Sequence, residues 1–506
     1  MKLHRQIAAI ALALIVLTIG HMTSAPALAA TCTHYVATTG NDANPGTLAA
    51  PWRTIQKAAN TLAPGNTACI RGGVYSEVVT VNVSGSAGGG FITFQSYPGE
   101  QAVLDGTSLT VPLGWGPMIR IENKTYITIQ GLELRNYRSS VKNHSPIGIF
   151  VTGFGDHIEL RNNLIHHVET NYTGKSGGDA HGIAIYGTAA PAAITNVIID
   201  GNQLYSLKLG SSESLVVNGN VDGFQITNNG VHDNNNIGID VIGFEGKSPD
   251  PVLDQARNGV IRGNTVYNIN SYGNPAYGTD RSAGGLYIDG GRDTLVEQNV
   301  VHDANIGVEL ASEHAGHATS GITLRSNFFY NNTQAGIAIG GYDKRRGSTE
   351  NCVIINNTLF NNFTQRDWGA ELYVQFDTRN NIIKNNIIYA HDARRFIESW
   401  SAVMIGNVVD NNLYFSAGGG TNGTWIWKNV TYSTFAAYQA GSGNDAAGLA
   451  GVDPLLVSTT LPDLHLQTTS PAIDRGQAVA QSGPSDIDGQ PRVQGAAIDI
   501  GADEVR

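Results

Sequence analysis

A repeat constrains this chain more than any other feature. A short β-branched run, an asparagine, two or three apolar residues and a turn recur along the middle of the sequence. The asparagines are Asn163, Asn202, Asn229, Asn264, Asn299, Asn327, Asn357, Asn386 and Asn412, spaced 26 to 39 residues apart. A second run lies between them, as in Gly182-Ile-Ala-Ile-Tyr-Gly187, Gly238-Ile-Asp-Val-Ile-Gly243, Gly285-Leu-Tyr-Ile-Asp-Gly290, Gly307-Val-Glu-Leu-Ala-Ser312 and Gly336-Ile-Ala-Ile-Gly-Gly341. A unit this small cannot bury its own apolar face, so it must stack on its neighbours. Short strands joined by Asn and Gly turns predict an all-β fold, a parallel β-helix solenoid in which side chains alternate inward and outward along each rung. The asparagines are then expected to form an amide ladder at the bends. His166, Tyr205, His232, Tyr267, His302 and Tyr330, three residues further on, are expected to stack beside it.

Composition agrees. Only 14% of the 506 residues are charged and 8% aromatic, while 61 are glycine, which argues against a helical enzyme. Lys2 and Arg5 precede an apolar run at 7–20, and Ala27-Leu-Ala29 offers small residues for cleavage, so 1–29 reads as a signal peptide. A run of that length is short of the roughly 20 residues needed to span a bilayer. A secreted protein with no membrane partner after cleavage is expected. The formal charge of -11 becomes -13 once Lys2 and Arg5 are removed, which makes nucleic acid a poor partner. An oxidising compartment predicts a disulfide between Cys32 and Cys69, while Cys352 sits in an apolar run and reads as core.

The start of the mature chain, from Tyr35-Val-Ala-Thr-Thr-Gly40 through Pro51-Trp-Arg-Thr-Ile55, with Ile70-Arg-Gly-Gly-Val-Tyr75, resembles the N-terminal cap of bacterial right-handed β-helix proteins, including pectate lyases of the family 9 type. Ser470-Pro-Ala-Ile-Asp-Arg-Gly476 and Asp499-Ile-Gly-Ala-Asp-Glu504 are similar to their closing segment. The resemblance implies a right-handed helix divided as 30–110 cap and first rungs, 111–415 helix with the groove, and 416–506 closing segment. It implies carbohydrate chemistry as a class. Those lyases use a lysine on a rung beside a calcium held by aspartates. The nearest segment here, Gly178-Asp-Ala-His-Gly-Ile-Ala-Ile-Tyr186, has no such lysine.

Acids gather on outward positions of the second run, where a solenoid gives them no structural reason to do so. Aligning the glycines places Asp240, Tyr287, Glu309 and Ala338 in one outward column and Ile242, Asp289, Ala311 and Gly340 in the next. Strand spacing then sets the β-carbons of Asp289 and Glu309 roughly 8 Å apart. Glycoside cleavage needs one carboxylic acid to protonate the leaving oxygen and one carboxylate as nucleophile or base. Asp289 and Glu309 suit those parts, with Glu313 and Asp240 as further catalytic candidates. The stretch Gly284-Gly-Leu-Tyr-Ile-Asp289 with Ile306-Gly-Val-Glu-Leu-Ala-Ser-Glu313 also resembles the catalytic stretch of β-helix glycoside hydrolases of the xylosidase-like kind.

Substrate-binding candidates are Tyr287, Arg292, His314, Tyr186, Tyr342, Lys344 and Tyr373, with Asn218, Arg345 and Gln375 near the same groove. The insertions at 245–257 and 270–282 are expected to wall it. The expected function is hydrolysis of a polysaccharide or oligosaccharide by a monomer, with no cofactor required. The alternatives are a calcium-assisted polysaccharide lyase or uronate epimerase, with Asp240, Asp280, Asp289 and Glu309 as oxygen donors, Tyr287, His181 or Lys344 as base and Arg292 on the substrate carboxylate, and a non-catalytic glycan-binding solenoid. The sequence assigns no residue to a metal.

Overall fold

A computed structural model describes residues 31–506 except 391, 393, 401 and 402. The expected signal peptide lies outside the described residues.

The repeats fold into parallel rungs on three faces. On the first face His181–Gly187, Leu215–Gly219, Ile239–Ile242, Gly284–Asp289, Ile306–Ala311, Ala335–Ile339 and Leu372–Val374 follow one another, each paired in parallel with the next. The second face stacks Ile194–Asp200, Val221–Thr227, Arg257–Arg262 and Arg292–Glu297 in the same way. The third stacks the strands that follow the asparagines, from Leu164–Thr170 to Leu413–Phe415. Isoleucine, valine and leucine from all three faces fill one continuous interior, as alternation along each rung requires.

The asparagine ladder is present. Each side-chain oxygen accepts the backbone N–H and the amide of the asparagine one turn earlier, as Asn299 Oδ1 does from Asn264 at 3.0 and 2.9 Å. The ladder runs from Asn163 to Asn412 and ends on Asp445, whose carboxylate takes the place of the next amide. The residue before each of these asparagines turns the bend with positive φ, which is why Asn or Gly so often stands there: Asn162, Gly201, Asn228, Gly263. The predicted aromatic column also forms, with His232 and Tyr267 stacked at 4.6 Å and Tyr267 and His302 at 5.1 Å.

Both ends are closed. The helix Ile55–Thr61, capped by the Thr54 hydroxyl, packs at the N-terminal end, and the Cys32–Cys69 disulfide ties the first strand to the second. Parallel pairing begins at His34–Val36 and continues to Asn422–Trp427. An antiparallel hairpin and the helix Phe435–Ser442 follow. The closing segment then covers the outside of the third face, setting Leu456, Leu464, Leu466 and Ile500 against Phe328, Phe360, Ile387 and Leu413. Cys352 is buried in the interior, and burial pushes its thiol up to about 12, so it carries no nucleophilic chemistry. Among the described residues no helix is long and apolar enough to cross a membrane.

Candidate active site

The register builds the site. Asp240 pairs with Tyr287, Tyr287 with Glu309, Glu309 with Ala338 and Ala338 with Tyr373. Their strand neighbours Ile239, Val241, Leu286, Ile288, Val308 and Leu310 belong to the interior, so alternation turns this column outward. Asp289 lies in the next outward column, paired with Ala311. Asp289 and Glu309 are therefore one rung apart and two residues apart along the strand, about 8 Å between β-carbons.

Outward does not mean exposed here: Asp240 is 2% exposed, Asp289 5% and Glu309 7%. Both insertions pack against this face. In 270–282, the Tyr277 hydroxyl accepts a hydrogen bond from Asn236 Nδ2 at 3.3 Å, and Tyr277 and Arg281 become one wall of a cleft of about 650 Å³. Tyr287 and Glu309 form its floor, and Tyr342, Trp368 and Tyr373 complete its walls. In 245–257, Asp254 accepts the backbone N–H groups of Gly246 and Ser248, which folds the insertion on itself. Glu245 then accepts from Asn218 Nδ2 at 2.8 Å, and the Lys247 ammonium sits 5.4 Å from the Tyr186 ring centroid.

Burial sets the electrostatics. The Glu309 carboxyl is pushed up to about 7 by burial, against a lowering hydrogen bond from Gln375 Nε2 at 2.9 Å. Asp289 is raised well above the carboxylate range by burial and by the charge of Glu313, although its Oδ1 accepts the Glu313 N–H at 2.7 Å. Asp240 is raised well above that range by burial, then by Glu213 and Asp289, and its Oδ1 has no hydrogen-bond partner. Glu213 is raised in the same way by burial and Glu245. So many carboxyls in one dry cluster cannot all ionise. Asp240 is the natural place for a retained proton, because no donor reaches its Oδ1. His181 is driven down to about 4 by burial and is neutral at neutral pH, with Nε2 3.3 Å from the Tyr186 hydroxyl.

Tyr287, Glu309, Glu313, Tyr342, Tyr373 and Gln375 line the cleft. Asp240 pairs with Tyr287 of this lining, and Asp289 lies on the Tyr287 strand in the next outward column. Tyr186 shares a column with Asn218 and Ile242, two rungs before Asp240, and is sealed beneath Lys247. Besides Tyr186, three expected substrate contacts lie outside the cleft lining. Arg292 belongs to the second face, in register with Arg257 and 3.6 Å from Asp293. Lys344 is exposed in the turn after Tyr342, and His314 sits in the turn after Ser312 with its N–H on that hydroxyl. His314 and Lys344 follow the end of a rung, where alternation no longer fixes direction, and Arg292 opens a strand of the neighbouring face. Glu213, Tyr277, Arg281 and Trp368 belong to the site without having been read from the sequence.

The calcium and lysine arrangement of the family 9 lyases does not fit these residues. Among the described residues, the group bringing three metal-binding side chains within 4.8 Å is His465, Asp488 and Asp503, far along the closing segment. His465 there is raised to about 9 by its hydrogen bonds to Asp488 and Asp463, which makes it a cation among acids. The cleft acids do not converge in that way, Asp280 stands on the wall, and the outward column from Asp240 to Tyr373 contains no lysine.

Residues 34–226 match the family described as Pel9A-like, right handed beta helix region, and residues 252–437 the one described as right handed beta helix region. Uncharacterized protein YwoF of Bacillus subtilis is 39% identical over 438 residues, which is 87% of this chain and 91% of that protein. The chain belongs to this family of right-handed β-helix proteins. Pectate lyase PEL9 of Emericella nidulans is 24% identical over 155 residues, 30% of this chain and 37% of that protein. The crystal structure of GH136 lacto-N-biosidase from Eubacterium ramulus shares the fold, with a TM-score of 0.52 at 15% identity, covering 75% of this chain and 67% of that one. Both of these similar proteins are carbohydrate-active enzymes, and at these identities the likeness to this chain is one of fold.

Proposed function

We propose that the protein is an exported glycoside hydrolase acting on a polysaccharide or oligosaccharide. One observation carries this reading: two outward carboxyls, Asp289 and Glu309, sit on neighbouring rungs, Glu309 in the lining of an aromatic-walled cleft and Asp289 in the next outward column. Asp289, raised well above the carboxylate range by burial and by Glu313, keeps a proton near neutrality and delivers it to the glycosidic oxygen as the C–O bond breaks. Glu309, held at about 7 with Gln375 Nε2 donating to its Oε1, is the carboxylate that attacks the anomeric carbon or takes a proton from the attacking water. Tyr342, Trp368 and Tyr373 offer ring faces to the sugars. No step calls on a metal. The Cys32–Cys69 disulfide supports export to an oxidising compartment.

A polysaccharide lyase or uronate epimerase is the second reading, favoured by Arg281, a cation in the cleft wall suited to a carboxylated sugar. A digest of plant and algal polysaccharides by the purified protein, with and without chelator, separates the two. New reducing ends without the ultraviolet absorbance of unsaturated uronates support hydrolysis. Absorbance that chelator abolishes moves the assignment to a calcium-assisted lyase.

A further inference from the structure

We propose that a pocket beside the cleft is a second saccharide subsite, in which an uncharged sugar residue of a chain held at Glu309 stacks on Trp400. The proposal rests on the hydrolase reading and adds a substrate class to it.

The register sets the distance. The outward column that carries Glu309 continues through Ala338 and Tyr373 to Glu398. Three rung steps of about 4.8 Å put Glu398 roughly 14 Å from Glu309 along the face, the length of about three sugar residues. Trp400 follows Glu398 by two residues. A pocket of about 210 Å³ lies there, lined by Tyr342, Asp343, Tyr373, Gln375, Phe376 and Trp400. Tyr342, Tyr373 and Gln375 also line the main cleft, so the two spaces adjoin along shared walls.

Two rings of this pocket are turned to solvent, Trp400 at 52% exposed and Tyr342 at 49%. Each is held in place. The Trp400 indole N–H donates to Glu398 Oε1 at 2.5 Å, and Glu398 Oε2 accepts from Arg395 Nη1 at 2.6 Å. The Arg395 guanidinium in turn lies 4.5 Å from the centroid of the Phe363 ring. Arg346 lies 4.4 Å from the centroid of the Tyr342 ring. A large ring left in water forgoes the stabilisation of burial, yet here an ion pair fixes its orientation. Such a ring is a stacking face formed before its ligand arrives.

Charge gives the class of sugar. Asp343, the carboxylate of the lining, accepts from Arg345 Nε and Nη2 at 3.0 and 2.6 Å, and Glu398 is paired with Arg395. With these charges engaged in pairs, the pocket offers no open cation to a carboxylated ring and no open anion to an amino sugar. It offers aromatic faces beside the neutral polar groups of Gln375 and Tyr373, which suit the C–H face and hydroxyls of a neutral sugar.

The test measures kcat/KM of the purified protein on oligosaccharides of two to six residues from xylan, arabinan, galactan and homogalacturonan, with circular dichroism verifying the fold of each variant. On a neutral series kcat/KM should rise with length. Trp400→Ala should remove about fivefold of that rise at five and six residues, and Trp400→Phe should keep it. A neutral series cleaved without regard to length, or a Trp400→Ala loss equal at every length, would overturn the subsite and leave the hydrolase reading standing. Cleavage confined to homogalacturonan overturns the assignment to a neutral sugar. Absence of cleavage across the whole set overturns the proposal together with the hydrolase reading.

Discussion

Glu309 Oε1 accepts a 2.9 Å hydrogen bond from Gln375 Nε2, a residue two rungs further along the same face. This contact opposes the burial that pushes the Glu309 carboxyl up to about 7. The amide N–H stabilises the ionised form, so its loss must favour the protonated one.

Gln375→Leu is therefore expected to move the pKa of Glu309 above 7. In the wild-type protein, turnover should rise as pH rises through about 7 and Glu309 loses its proton. In the variant that limb should move up by about one pH unit, the size of a lost hydrogen bond to a charged group. A pH–rate profile measures it, and an unmoved limb removes Gln375 from the account.

Asp240 makes a stability prediction with a definite sign. Its folded carboxyl is raised well above the ordinary value, so its contribution to stability is fully present below the unfolded pKa of about 3.9 and is lost as pH rises through the folded one. Asp240→Asn should then raise Tm by about 2 °C at pH 8 and change nothing at pH 3. Thermal melts at the two pH values check this. Destabilisation at pH 8 would mean that Asp240 is ionised and paired.

The asparagine ladder is open to a single deletion. Asn299 accepts from Asn264 and donates to Ile261 O, Glu297 O and Asn327 Oδ1 at 2.9 to 3.0 Å, wholly buried. Asn299→Ala strands several of these groups, and urea unfolding should show a loss of about 2–4 kcal/mol. A loss under about 0.5 kcal/mol would mean that water or relaxation replaces the ladder.

The Cys32–Cys69 bond closes a loop with a sequence separation of 37. Replacing both cysteines by serine should cost about 3–4 kcal/mol in the chain-entropy model. Melts of the variant and of the reduced wild type should agree. No change in either would show that the first rung holds without the bond.

What the sequence discloses here follows from what periodicity constrains. The ladder asparagines, the His–Tyr column, the disulfide and the register of Asp240, Tyr287 and Glu309 all lie on or beside rungs, where a period of two and a repeated bend fix direction. Lys344 and His314 come after the rung ends and Arg292 opens a strand of the second face, so alternation along the first-face rungs does not set where they point. Glu213 was missed because it stands just before its rung, at a bend that alternation does not reach. Tyr277, Arg281 and Trp368 come from excursions between rungs, and only long-range packing decides which way such segments fold.

The most direct test of the account compares the wild-type protein with Asp289→Asn and Glu309→Gln on a polysaccharide that the wild type degrades, reading new reducing ends while circular dichroism verifies the fold. The account predicts a loss of about a hundredfold or more in each folded variant. Undiminished release of reducing ends by either one would contradict the assignment of this carboxyl pair.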